Sequence, residues 1–276
     1  MTNTDKNTAP TPGADNSDDW ENHWSSFGEP ALGNPANDYR NRLIFRYLGT
    51  PEPSSTVVDV GSGQGQLALL LQTAYPEAKV FGVEYSQEGV RRATDAARKS
   101  GLDAQFVQRD LLEPSAGQDP LGGVPPGALA VCSEVLEHVD HPEVLLANAA
   151  DYMQPGCRLV VTVPGGPKSA LDRYIGHRQH FRPASIRTLL ESSGFEVEHV
   201  YRAGFPFFNL YRLAVILRGT RLIEDLKSSS PSDPASFMQR VVSRFFDVTF
   251  HWNLPNSPFG WQIVAVARLH PGPDAA

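Results

Sequence analysis

Hydrophobic and polar positions along the chain fall into distinct regimes. Residues 1 to 19 are Thr, Asn, Asp, Pro and Gly with almost nothing apolar. Such a stretch cannot bury enough surface to offset chain entropy, so a disordered tail is expected. Residues 20–48 carry an apolar and aromatic stripe broken by "GEPALGNP", which predicts an N-terminal helical cap. Beyond it, short apolar runs alternate with helical patterns. "TVVDV" (56–60) precedes "QLALLLQTAY", and "AKVFGVE" (78–84) leads into "SQEGVRRATDAARKSG", with serine as N-cap and glycine as stop. "DAQFVQRD" (103–110), "GALAVCSE" (127–134) and "RLVVTVP" (158–164) complete five strands. Their apolar residues are dense rather than strictly alternating, as expected of strands covered on both faces. This alternation predicts an α/β fold, a largely parallel sheet with helices on both sides. "PASIRTLLESSG" then reads as a helix, "FEVEHVYRA" as a sixth strand and "WQIVAVARL" (261–269) as a seventh. The long stretch 205–258 reads as a helical, aromatic-rich insertion. Within it Val241, Val242, Phe245, Phe246, Thr249 and Phe250 share one helical face.

Composition narrows this picture only a little. A chain of 276 residues, 41% hydrophobic, can bury one substantial core plus an excursion. A formal net charge of −7 gives no global pull toward nucleic acid or an anionic membrane. Cys132 and Cys157 sit in apolar runs and read as reduced core residues. No apolar run reaches the roughly 18 residues of a membrane span, and the N-terminus is polar and acidic. A cytoplasmic protein without a membrane span is therefore expected.

In a parallel sheet of this kind ligands sit at the carboxyl ends of the strands. Those ends carry Asp59, Glu84, Asp110, and Ser133 with Glu134, an acidic residue at four consecutive strands. The first is followed by alternating glycines, Gly61, Gly63 and Gly65, in "DVGSGQG". Position 66 is Gln, where a dinucleotide fold wants Gly or Ala, which disfavours a nicotinamide-dependent oxidoreductase. Together with "FGVEYS", "QRDLLEP", "CSEVLEHVDHPEVLL" and "MQPGCRLVVTVP", the loop resembles the motifs of class I S-adenosylmethionine-dependent methyltransferases of the small-molecule type. The resemblance covers about residues 40–200 and 260–270.

The resemblance implies a seven-stranded Rossmann-like methyltransferase sheet, mostly parallel with its last strand antiparallel. It implies S-adenosyl-L-methionine as cofactor and S-adenosyl-L-homocysteine as product. Gly61, Ser62, Gly63 and Gly65 would pass close to the methionine and ribose. Glu84 would accept the ribose hydroxyls, and Tyr85 would flank the adenine. Asp110 and the Leu111 amide would read the adenine edge, and Asp59 with the Ser133 region would hold the ammonium. For catalysis the expected groups are His138 as base, with His180, Glu134 and Tyr174 beside the acceptor. Substrate contacts are expected from Trp24, Tyr39, His177, Phe207, Phe208 and Tyr211. His177 and His180 have a spacing that suits metal ligation, but no cysteine or carboxylate cluster accompanies them in the sequence, so no metal is expected. The organisation expected is a tail (1–19), a helical cap (20–48), a cofactor-binding core (49–204 and 259–270) and an insertion (205–258) forming lid and substrate pocket. The function expected is methyl transfer to a small-molecule acceptor, with an aromatic natural-product precursor first and a sugar or lipid-linked intermediate second. A non-catalytic partner that keeps the cofactor fold is the remaining rival, disfavoured by the intact strand-end acids. A monomer or homodimer without nucleic-acid partners is expected.

Overall fold

The computed structural model describes residues 34–114, 123–221 and 237–271, with the backbone alone for 237–241. The expected tail, the first part of the cap and Trp24 lie outside the described residues.

Helix α1 (Pro35–Leu48) starts where Asn34 accepts from the Ala36 amide at 3.0 Å and Pro35 pre-sets the first turn; it stops before Gly49. Then follow β1 (Thr56–Val60), α2 (Gln66–Ala74), β2 (Lys79–Glu84), α3 (Gln87–Ser100), β3 (Gln105–Gln108) and β4 (Gly127–Ser133). Ser86 caps α3 by accepting from Gly89 N at 3.1 Å, and Gly101 ends it in the left-handed region, as the sequence predicts. The second half comprises α4 (Pro142–Ala149), β5 (Met153–Pro164), α5 (Ala170–Tyr174), α6 (Pro183–Ser192), β6 (Phe195–Ala203), α7 (Phe207–Arg218), α8 (Phe237–Thr249) and β7 (Gln262–Leu269).

All seven strands join one sheet in the order β3-β2-β1-β4-β5-β7-β6. Neighbours pair parallel except that β7 runs antiparallel to both β5 and β6. Chain order reverses between β1 and β4, so a crevice opens at their carboxyl ends. Strand β5 begins five residues before the apolar run suggests. "QPG" reads as turn chemistry, but the sheet absorbs it as an irregularity in the β4–β5 register between Gly127 and Leu129, with Gly156 at φ 78°.

The pleat divides the core into two layers. Val58, Cys132, Val161 and Ile263 face one side and pack with Leu146 of α4 and Ile186 and Leu190 of α6. Val57, Val131, Val160 and Val264 face the other, against Ile44 and Leu48 of α1 and Leu71 of α2. On this second side α7 and α8 of the insertion dock through an aromatic cluster. Tyr39 lies 5.4 Å from Phe208 and 5.5 Å from Phe250, and Tyr211 meets Phe246 edge-on at 5.2 Å. The expected α8 stripe is split by this docking. Phe246, Thr249 and Phe250 are buried, whereas Val242 and Phe245 are exposed, because the helix touches α1 and α7 mainly through its last turn. Among the described residues no helix is long and apolar enough to cross a membrane.

Candidate active site

A cavity of about 700 Å³ opens at the β1–β4 crevice and runs from the glycine loop to a wall made by α1, α5 and α7. Asp59, Gly61, Ser62, Gly63, Glu84, Tyr85, Asp110, Leu111 and Ser133, nine of the ten expected cofactor residues, line it. The tenth, Gly65, supports the loop from behind. Its left-handed backbone (φ 77°) and the 2.7 Å that a Cβ there would leave to the Phe106 ring exclude any side chain. Gly61 is under the same double constraint, with a built Cβ only 2.5 Å from a Val135 methyl. These two glycines thus serve packing within the protein, and clearance for a ligand comes in addition.

The carboxylates at the strand ends are held in contrasting ways. Glu84 Oε2 accepts from Gly63 N at 2.8 Å and Oε1 from Ser86 N at 3.0 Å, so one side chain ties the glycine loop to the start of α3. Asp110 Oδ1 accepts from Leu112 N at 2.8 Å, shaping the turn after β3. Asp59 is 2% exposed, and its Oδ2 has no hydrogen-bond partner. Burial, reinforced by the Glu84 charge, pushes its carboxyl up to about 8, although the Ala68 amide partly opposes this. Ser62 Oγ is likewise buried without a partner on the cavity wall. An acceptor and a hydroxyl left orphaned at one end of a cavity suit a ligand that brings an ammonium and further polar atoms. S-adenosylmethionine has both.

Glu134 follows β4 in a left-handed conformation (φ 56°) that disfavours a residue with a Cβ. It is fixed there by three contacts. Its amide donates to Thr162 O at 2.9 Å, and its Oε1 accepts from Thr162 Oγ1 at 3.1 Å and Gln262 Nε2 at 2.9 Å. The Ser133 and Thr162 hydroxyls are 2.9 Å apart, extending the same chain. Glu134 Oε2 lies 3.6 Å from Arg40 Nε of α1.

Of the four catalytic candidates, Glu134, His138 and Tyr174 line the cavity, and His180 stands behind it. His180 Nδ1 bonds Gly166 O at 3.1 Å, and its Nε2 lies 3.2 Å from His177 Nδ1. His177 is 9% exposed and meets the His138 ring edge-on at 4.7 Å. Burial, with the neighbouring His138, holds the His177 imidazole far below its ordinary range, and burial also lowers His180. Glu137 is fully buried, with both carboxylate oxygens lacking hydrogen-bond partners; burial and Glu134 drive its carboxyl well upward. Its backbone carbonyl accepts from Arg178 N at 2.7 Å, which pins the loop after β5 against the end of β4.

Of the expected substrate residues, Tyr211 lines the cavity. Tyr39 and Phe208 lie in the core, Phe207 pairs with the Trp252 ring at 6.1 Å, and His177 sits behind His138. Sequence reasoning passed over Arg40, Asn37 and Asn41, all on the cavity wall. Their signal was available as a polar face on a helix that otherwise reads as an apolar stripe. It also passed over the buried ion pair of Asp172 with Arg212, 2.7 Å across α5 and α7, whose partners lie too far apart in the chain to suggest one another.

Comparison with known proteins fits this geometry. Residues 36–200 match the family described as "Methyltransferase domain". The release factor glutamine methyltransferase of Deinococcus radiodurans is 44% identical over 61 residues, 22% of this chain and 22% of that one, so the chain spans under a quarter of that relative's length. The ubiquinone biosynthesis O-methyltransferase of Aeromonas salmonicida is 27% identical over 173 residues, 57% of this chain and 70% of that one. Among solved structures, geranyl diphosphate C-methyltransferase from Streptomyces coelicolor A3(2), in complex with Mg2+, geranyl diphosphate and S-adenosyl-L-homocysteine, has the same fold. Its TM-score is 0.52 at 15% identity, over 85% of this chain and 79% of that one. The strand-end acids, the glycine loop and the family match lead to one conclusion: the chain belongs to the methyltransferase-domain family, and its cofactor is S-adenosylmethionine.

Proposed function

We propose that the protein transfers a methyl group to a small organic acceptor, with an aromatic natural-product precursor as the leading class. The observation that carries this reading is a continuous cavity of about 700 Å³ that runs from the glycine loop to the partly apolar wall of α1, α5 and α7. That volume falls within the range of small-ligand sites, which run roughly 300–1,000 Å³. Leu171, Tyr174, Ile175 and Tyr211 give the cavity wall flat and apolar surface, and His138 and Glu134 line the same cavity.

S-adenosylmethionine supplies an electrophilic methyl on a sulfonium. The chain's own residues do the rest. On this reading Glu84, Asp110 and Tyr85 hold the ribose and adenine, and Asp59 and Arg40 the two charges of the methionine end. The walls of α1, α5 and α7 exclude water and orient the acceptor. His138 is placed to take a proton from an acceptor hydroxyl or amine. The similarity to an O-methyltransferase of ubiquinone biosynthesis supports an oxygen nucleophile on a ring. A panel of phenols, enols, sugars and amines assayed for S-adenosylhomocysteine release tests the reading. Turnover confined to phenolic or enolic rings supports it, and turnover confined to sugars overturns the leading class.

A further inference from the structure

The fold brings together groups that the sequence keeps apart. Glu137 and His138 follow β4, while His177 comes from the loop after α5, and one ligand atom from each lies within 4.8 Å of the other two. His138 Nε2 stands 4.0 Å from Glu137 Oε1. The carboxylate clusters missing from the sequence around His177 are thus supplied in space, by Glu137 on one side and Asp172 on the other.

Hydrogen bonding fixes which electron pairs these groups present. Gly166 O can only accept, so His180 Nδ1 carries the proton in their 3.1 Å contact. Neutral His180 then offers a lone pair at Nε2, and His177 Nδ1, 3.2 Å away, is the donor to it. That leaves the lone pair of neutral His177 on Nε2. Glu137 adds two carboxylate oxygens that no other residue hydrogen-bonds, in a residue that is 0% exposed; its own backbone amide and the more distant Arg40 charge offset its burial only in part. A buried corner with unpaired carboxylate oxygens beside an imidazole lone pair is unfavourable by itself, since buried polar groups are normally paired. A cation answers all of them at once.

We propose that Glu137, His138 and His177 form a binding site for a divalent transition-metal ion of the zinc class, opening onto the cavity through His138. Two imidazoles and one carboxylate make a three-ligand set that leaves coordination positions free. Bonds of about 2.0–2.2 Å require the ligand atoms to close by roughly an ångström from their present spacing, within reach of side-chain rotation. The supporting contacts follow the pattern of metal-bound histidine, in which the second ring nitrogen donates to a fixed acceptor. Here His177 donates to His180, and His180 donates in turn to the Gly166 carbonyl. The Asp172–His177–His180 group is the weaker ligand set, because Asp172 Oδ2 already accepts from Arg212 at 2.7 Å and Ser169 N at 2.6 Å. Resting on the methyl-transfer reading, the open positions hold an acceptor oxygen beside the cofactor, and His138 then serves the ion rather than the proton.

The test is a titration of the full-length chain, stripped with chelator, with Zn2+ by calorimetry and with Co2+ by visible absorption, each sample also being titrated with S-adenosylhomocysteine. One saturable equivalent is expected in the wild type and in His141→Ala, which removes the exposed His141–Glu143 pair as a competing surface site. Glu137→Gln and His177→Gln are expected to lose the binding, and His180→Gln to weaken it about 10–100-fold. Loss of Zn2+ binding counts only in variants that still bind S-adenosylhomocysteine, which shows that the fold persists. Absence of saturable Zn2+ binding in the wild type, or binding unchanged in the Glu137 and His177 variants, overturns the proposal. A chain that binds S-adenosylhomocysteine but no Zn2+ refutes the ion alone. One that binds Zn2+ but turns over no acceptor refutes the methyl-transfer reading and leaves the ion site standing.

Discussion

The Glu84 carboxylate and the Gly63 amide meet at 2.8 Å, joining the acidic end of β2 to the glycine loop after β1. Because Oε1 also accepts from Ser86 N, the side chain is oriented before any ligand arrives. Such preorganisation fixes a carboxylate on the cavity wall, as the proposed contact to a pair of ribose hydroxyls requires.

Replacing Glu84 with Ala should weaken S-adenosylmethionine binding by about 1.5–3 kcal/mol, the range for hydrogen bonds to a charged group. Loss of the two amide contacts should also lower unfolding stability by about 1–3 kcal/mol. Calorimetric titration and urea unfolding read these separately, and unchanged affinity would remove Glu84 from the cofactor site.

If Asp59 pairs with the ammonium of the cofactor, its raised carboxyl should make cofactor binding pH-dependent. A group whose value stands at about 8 in the free protein holds a proton at neutral pH and must release it to pair with an ammonium. Affinity for S-adenosylhomocysteine should therefore climb as pH rises toward about 8, by up to about tenfold per unit, and level off above. At pH 7 the heat of binding should vary with buffer ionisation enthalpy, and Asp59→Asn should abolish both effects.

Substituting Ala for His138 should cut turnover roughly 10²–10⁴-fold while S-adenosylhomocysteine still binds, whether the ring takes the acceptor's proton or holds the inferred ion. The side chain lines the cavity but takes no part in the core. A fall of less than about tenfold would mean that positioning alone carries the reaction.

Asp172 is 1% exposed and accepts from Arg212 and from its own helix cap at Ser169. Burial alone would raise its carboxyl, but the guanidinium and the cap overcome this and hold it well below the usual range. Arg212→Ala leaves that charge buried without its partner, and should destabilise the fold by about 3–5 kcal/mol. A thermal or urea melt checks this, and Asp172→Asn in the Arg212→Ala background should recover part of the loss.

"TVVDV" falls on β1 residue for residue because that central strand is covered on both faces, and "FEVEHVYRA" falls on the edge strand β6, whose first residues alternate buried and exposed. The cofactor end was legible for a related reason. Asp59, Glu84 and Asp110 are polar residues at the ends of apolar runs, where nothing in the core requires them. The acceptor side was not. Its wall is assembled from α1, α5 and α7, and whether an aromatic on those helices turns to the cavity or the core depends on docking angles that no local pattern encodes. Phe208 lies wholly in the core, whereas Tyr211, three positions on in α7, packs on the same cluster and also reaches the cavity. Glu137 stands with Glu134 and His138 in the motif after β4, but that it is buried with no hydrogen-bond partner from another residue shows only once the chain after α5 closes over it.

Methyl transfer to a small molecule is tested most directly by the fate of the methyl group. Purified protein is incubated with methyl-labelled S-adenosylmethionine and an extract separated into small-molecule, protein and nucleic-acid fractions. Label appearing in the small-molecule fraction, and lost with Glu84→Ala, is the expected result. Label confined to protein or nucleic acid, or no transfer to any fraction while the cofactor is bound, would contradict it.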